Sequence, residues 1–110
     1  MAPAPYLGEF EQLLLLAILR LDANAYGVEI ARELEARAGR TVSRGALYTS
    51  LDRLEDKGLL RWRVMPGAPE RGGLPSRLYS VTPAGVTALR ASRDTVRPAR
   101  ASSSRAISTP

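Results

Sequence analysis

The apolar residues change their spacing after residue 58, and this change limits the fold more than any other feature. Up to residue 58 they recur at the three- and four-residue spacing of amphipathic helices. In LLRWRV, residues 59–64, Leu60, Trp62 and Val64 instead alternate with two arginines, which is typical of a half-buried strand. The sequence therefore predicts helices first and a β-structure after them.

Three helices are predicted, in the segments 8–21, 23–40 and 43–58. Asn24 and Ser43 are residue types that begin helices, and Gly39 and Gly58 are types that end them. Gly27, early in the second helix, indicates close contact with a neighbouring helix. In the third helix the residues expected to face the core are Ala46, Leu47, Leu51 and Leu54.

A return strand, RLYSV, follows a turn rich in proline and glycine, with Tyr79 and Val81 facing inward. Thr82 and Pro83 then begin a short C-terminal helix. The expected fold is mainly α with a small β-hairpin: a winged helix-turn-helix with three helices, a two-stranded wing and a short C-terminal helix. The predicted divisions are a flexible arm over 1–7, the domain over 8–93 and a disordered basic tail over 94–110.

The composition argues against an enzyme. The chain has no cysteine, which excludes thiol nucleophiles and thiolate metal sites, and no histidine, which removes the commonest general base and the commonest metal ligand. No catalytic residue, metal or cofactor is expected. The apolar run over 13–19 is far shorter than the roughly 20 residues that cross a membrane, and no signal peptide is visible, so a cytoplasmic protein without a membrane partner is expected.

The net charge of +5 is carried almost entirely by arginine, which binds phosphates and guanine edges in bidentate fashion. Three arginines lie in the tail, so binding must rely on local patches. The start of the third helix is one such patch, because in a winged helix-turn-helix this part enters the major groove of double-stranded DNA. The residues predicted to bind DNA there are Thr41, Ser43, Arg44, Gly45, Tyr48 and Thr49.

Acidic residues of the third helix, Asp52, Glu55 and Asp56, come later and are expected to turn away from the groove. The wing adds a second basic patch, with a Gly-Gly hinge suited to reaching a minor groove. Its predicted DNA-binding residues are Arg61, Arg63, Arg71, Gly72, Gly73 and Arg77. Structural alternatives stay open: Arg44 as a solvated side chain, Tyr48 lying on the surface, Trp62 as core, and Arg61 and Arg63 as charges that protect a sheet edge.

Leu15, Leu16 and Leu19 fall outside the apolar stripe of the first helix, so they either lie deep in the domain or face a partner chain. Val86 and Leu89 of the C-terminal helix can join them. These five residues form the predicted dimer interface.

Four segments, LGEFEQLLLLAILRL, AYGVEIARELE, GALYTSLDRLEDKGLL and ERGGLPSRLYSVTPAG, together resemble the PadR family of bacterial transcriptional regulators over about 7–89. The resemblance implies a sequence-specific repressor that binds an inverted-repeat operator as a homodimer, released in some members by a small-molecule effector. By position it assigns DNA reading to Ser43, Arg44, Tyr48 and Thr49, the wing tip to 71–73, and a dimer role to the first helix.

One departure from the family concerns the C-terminal helix, which is long in its members. Here Pro98 and the serines after it predict an early end, which weakens the expectation of a stable dimer and of an effector pocket. A second function from another class stays open at this point. It is a winged-helix module that binds protein and touches DNA only non-specifically through its tail.

Overall fold

Four helices and one hairpin follow each other in the chain, and the computed structural model describes them over residues 7–67 and 73–92. The elements are α1 (Glu9–Leu21), a 3₁₀ turn (Asp22–Asn24), α2 (Gly27–Ala38), α3 (Arg44–Asp56), β1 (Leu60–Met65), β2 (Ser76–Val81) and α4 (residues 83–92). This order confirms the predicted winged helix-turn-helix.

The wing is an antiparallel hairpin in which β2 is bonded along both edges. On one side Trp62 of β1 pairs with Tyr79 of β2. On the other side the segment before α2 adds an isolated bridge between Tyr26 and Leu78, and the Tyr79 N–H donates to the Ala25 carbonyl at 2.9 Å. The hairpin is therefore attached to the helices by backbone hydrogen bonds.

This bridge corrects the predicted start of the second helix. Asn24 lies in the 3₁₀ turn, and the N-cap of α2 is Tyr26, whose backbone is extended. The backbone of residues 25 and 26 is used to pair with β2, so the helix can begin only after it. At the other end Gly39 adopts the left-handed conformation with φ of 63°, as the predicted helix stop requires.

The core is built from aliphatic side chains of every helix together with Tyr79. Leu47, Leu51 and Leu54 are buried as predicted, but Ala46 is exposed. Leucines at 47, 51 and 54 already fill the narrow stripe that α3 turns inward, so the small side chain at 46 lies beyond its edge. Val64 of β1 is also 60% exposed, so the inward face of this strand is not buried along its whole length.

The N-terminal arm is shorter than predicted. Leu7 is fully buried, its N–H donates to the Ser92 hydroxyl at 3.1 Å, and Gln12 donates to its carbonyl at 3.0 Å. Leu7 is an apolar side chain that α1 and α4 can enclose, so it belongs to the domain. Residues 1–6 and the predicted tail from 94 onward lie outside the described residues.

Two ion pairs join the start of α1 to the rest of the helix-turn-helix. Lys57, after α3, binds Glu11 at 2.8 Å, and Arg40, in the turn after α2, binds Glu9 at 3.2 Å. The Arg40 guanidinium also lies 5.7 Å from the ring centre of Phe10. Pairs this close to solvent contribute little stability individually, so their main effect is to fix the direction of α1.

Gly27 makes close packing of α2 against α3 possible. The tip of the Tyr48 side chain lies where a Cβ atom at position 27 would stand. The predicted close contact at this glycine is therefore confirmed, and the neighbouring element is α3. Tyr48 is half-buried in this position and packs against the core.

We expect Gly27→Ala to destabilise the protein by about 1–3 kcal/mol, because the added methyl group collides with the Tyr48 ring and hydroxyl. The measurement is the free energy of unfolding in urea, followed by circular dichroism.

The matched control is Gly45→Ala in α3, where an added Cβ meets nothing within 4 Å. Alanine favours a helix over glycine, so this variant should gain up to about 1 kcal/mol. Equal losses in the two variants would contradict the packing role of Gly27.

Candidate nucleic-acid interface

The first turn of α3 is exposed and is held in place by Ser43. The Ser43 hydroxyl accepts a hydrogen bond from the Ala46 N–H at 3.1 Å, which confirms this residue as the N-cap. Arg44, Gly45 and Thr49 are exposed on the helix that follows. The N-terminal end of α3, with its free N–H groups and positive helix dipole, therefore faces solvent together with an arginine.

A cleft of about 620 Å³ connects this helix with the wing. Tyr26 and Gly27 at the start of α2 form one wall, Tyr48 of α3 lies beside them, and Ser76 and Arg77 of β2 form the other wall. We name this the helix–wing cleft. A smaller groove of about 240 Å³ between α2 and α3 is bordered by Thr41, Arg44 and Tyr48. Tyr48 borders both hollows, so the two form one concave side of the molecule.

Arg77 is the wing arginine that faces this concave side. Its guanidinium lies 4.0 Å from the ring centre of Trp62, and one of its nitrogens lies 3.6 Å from the Asp52 carboxylate of α3. Trp62 is half-buried, and its indole nitrogen has no hydrogen-bond partner among the described residues. The tryptophan predicted as core therefore also supports a surface arginine.

Tyr79 lies beneath this arginine and interacts with it electrostatically. Its hydroxyl is buried and makes no well-aligned hydrogen bond within the described part of the chain. Burial raises the pKa of the Tyr79 hydroxyl, and the Arg77 guanidinium opposes this rise. The tyrosine hydroxyl in turn raises the pKa of Arg77. Tyr79 therefore stays neutral and Arg77 stays charged at any physiological pH.

Asp52 lies next to the wing. It comes one turn after Tyr48 on the same side of α3, and its carboxylate is 3.6 Å from Arg77 of β2. Its orientation away from a DNA groove stays a prediction. The sequence shows that Tyr48 and Asp52 share a helix face, but the residue that contacts this face depends on the position of β2. The contacts of Arg77 with Asp52 and with Trp62 were therefore not predicted from the sequence.

The three wing arginines that the structure describes, Arg61, Arg63 and Arg77, do not form one patch. Successive side chains on a strand point to opposite faces, and cross-strand partners share a face. Arg77 pairs with Val64 and shares a face with Trp62, whereas Arg61 and Arg63 pair with Ser80 and Leu78 on the other face. Arg61 and Arg63 are exposed there beside Asp22, and their contact with DNA stays a prediction. Gly73 is exposed, and Arg71 and Gly72 lie outside the described residues.

The predicted dimer residues divide into two groups. Leu15 and Leu89 are buried inside the protomer, so they belong to its own core and have no surface to offer a partner. Leu16 and Val86 are half-buried, and Leu19 is 43% exposed. Burial in the domain therefore holds for Leu15, whereas contact of Leu16 and Leu19 with a partner chain stays a prediction.

Two further properties concern residues 7–67 and 73–92. No helix in these ranges has the length and apolar character needed to cross a membrane. The same ranges contain no cluster of acidic side chains that could hold a metal ion.

The sequence of residues 15–91 matches the family model described as the transcriptional regulator PadR-like family. The match covers well over half of the 110 residues. The chain belongs to the PadR-like family. This is a family of transcriptional regulators and not of enzymes. No curated protein matches the chain.

Solved structures of PadR regulators share the fold. A PadR family transcription regulator from Clostridium difficile R20291 has a TM-score of 0.70 at 22% identity, covering 91% of this chain and 99% of its own. One from Eggerthella lenta has a TM-score of 0.65 at 26% identity, covering 93% and 88%. Bacillus subtilis PadR, solved in complex with operator DNA, has a TM-score of 0.59 at 18% identity, covering 74% and 45%.

We expect Ser43→Ala to lower the free energy of unfolding by about 1 kcal/mol, because the Ala46 N–H loses its partner at the start of α3. Thermal unfolding followed by circular dichroism measures this. Thr41→Ala is the control, since the Thr41 hydroxyl makes no hydrogen bond within the described part of the chain. A loss in Thr41→Ala as large as in Ser43→Ala would argue against a capping role.

Proposed function

We propose that the protein is a repressor that binds an inverted-repeat operator in double-stranded DNA as a homodimer. The observation that carries this proposal is the single concave side formed by the start of α3, the start of α2 and Arg77 of the wing. A groove-reading helix beside a basic wing suits a duplex, because the helix fits the major groove and the wing lies along the neighbouring backbone.

Base reading is assigned to the first two turns of α3. Arg44 and Thr49 are exposed there, and Gly45 leaves the backbone uncovered. Tyr48 is held by its packing on Gly27, so its exposed part presents a fixed edge to DNA. Bacillus subtilis PadR, which has the same fold, binds operator DNA, and this supports the assignment of the same activity here.

Homodimerisation is assigned to the outer side of α1 and to α4. Leu19 is the exposed large apolar side chain of α1, and Leu16 and Val86 are half-buried. An inverted repeat then follows, because a two-fold dimer presents two α3 helices in opposite directions. A small-molecule effector and a cytoplasmic location remain expectations from the sequence.

The protein should enrich one sequence, arranged as an inverted repeat, from a library of random duplexes. Against the enriched duplex we expect Arg44→Ala to lose about 1–3 kcal/mol of binding free energy, measured by fluorescence anisotropy. Affinity should also fall steeply between about 50 and 200 mM salt, because several phosphates are neutralised per dimer.

Arg53→Ala is the matched control. Arg53 is also exposed on α3, but it comes nine residues after Arg44 and therefore points to the opposite side of the helix, about half a turn away. It should bind within about threefold of the parent. Failure to enrich any sequence would reject a sequence-specific regulator and leave a protein-binding module as the better account. Unchanged binding by Arg44→Ala would reject only the assignment of the reading residue.

We expect Leu19→Glu to weaken dimerisation about a hundredfold or more, because each of the two chains loses an apolar contact and gains a charge at the interface. Sedimentation equilibrium of the free protein measures the dimer dissociation constant. Val28→Glu, at an exposed valine of α2, should leave that constant unchanged. A monomeric parent protein, or equal effects of both substitutions, would contradict the proposed interface.

A further inference from the structure

The corner between α3 and the wing holds an arginine with an unusual set of neighbours. Trp62 supports the face of the Arg77 guanidinium at 4.0 Å, and the buried Tyr79 hydroxyl lies beneath it. Stacking uses the face of a guanidinium and leaves the N–H groups at its edge available. The edge of Arg77 can therefore bind an anion while the ring contact is maintained.

Asp52 supplies an anion at that edge, but the contact is weak. The nearest nitrogen and oxygen are 3.6 Å apart, which is longer than the 2.7–2.9 Å of a charge-assisted hydrogen bond. The side chains of Arg77 and Asp52 are 44% and 58% exposed, so solvent screens the pair. A stronger anion that reaches this corner can replace the carboxylate.

Other charged groups around the cleft do not compete for this position. Glu29 on the opposite wall pairs with Arg32 at 3.6 Å, and both belong to α2. Glu55 acts on Arg77 less strongly than Asp52 does. Asp52 is therefore the carboxylate that occupies the edge of Arg77.

We propose that Arg77, supported by Trp62, forms a subsite for one phosphate of the DNA backbone, and that the Asp52 carboxylate holds the place of this phosphate in the free protein. This inference rests on the proposed DNA binding and adds a residue that limits affinity. A phosphate offers oxygens in the fork geometry that a guanidinium prefers. On binding, it takes the place of Asp52, and Trp62 acts as a positioning residue throughout.

The replacement of Asp52 by a phosphate at Arg77 has a direct consequence for the affinity for DNA. In the parent protein, DNA must displace the Asp52 carboxylate before Arg77 can neutralise a phosphate. Asp52→Asn removes this competition. We expect it to bind DNA about threefold more tightly than the parent, the range of an exposed ion pair. Because backbone contacts carry no sequence information, the gain should apply to an enriched duplex and to a scrambled one.

The experiment is a set of anisotropy titrations with both duplexes at about 150 mM salt. Asp56→Asn is the matched control, since it removes the same charge from α3 at an exposed position that is not paired with Arg77. Arg77→Gln alone and combined with Asp52→Asn completes a double-mutant cycle. Far-ultraviolet circular dichroism confirms folding of each variant.

The proposal predicts tighter binding by Asp52→Asn than by Asp56→Asn, and no effect of Asp52→Asn once Arg77 is glutamine. Weaker or unchanged binding by Asp52→Asn would overturn it. An equal gain in the Arg77→Gln background would also overturn it, because Asp52 would then repel DNA directly. If the parent binds both duplexes with equal affinity, only the sequence-specific function is rejected. The double-mutant cycle on the scrambled duplex then still tests whether Asp52 competes with a phosphate for Arg77.

Discussion

Hydrogen bonding along both edges of β2 is the constraint on which the rest of the structure depends. β1 occupies one edge, and the segment before α2 occupies the other through Ala25 and Tyr26. A free two-stranded hairpin is only marginally stable in water, so the wing needs this third member. The same contact fixes the first residue of α2, and through the packing of Tyr48 on Gly27 it fixes α3 as well. The wing and α3 therefore both contact the segment at the start of α2.

This shared attachment to the start of α2 explains how weak individual contacts can form a specific surface. The ion pair between Asp52 and Arg77 is exposed and contributes little stability of its own. It forms because the backbone has already brought α3 and β2 together. The supports of this surface lie in the core and in the sheet, and Arg44 and Arg77 are exposed on its concave side.

Patterns that depend on local sequence were predicted well. The spacing of leucines on α3, the N-cap at Ser43 and the stop at Gly39 were all confirmed, since each is decided within a few residues. Predictions that depend on distant pairing were less accurate. The predicted N-cap at Asn24 was wrong because β2, more than fifty residues later, forms a hydrogen bond with the residue next to Asn24. The wing arginines were grouped by charge, whereas the register of β1 on β2 assigns them to different faces.

The buried contact between Leu7 and Ser92 brings the two ends of the described domain to one point. Whatever is attached before Leu7 and whatever follows Ser92 therefore start from neighbouring positions, next to the start of α1. A short linker can join these ends and turn the domain into a closed loop of chain. New ends could then be opened at the exposed residues Gly73 and Leu74, just before β2. The order of the elements along the chain is thus less important to this fold than the pairing of β2 with its two neighbours.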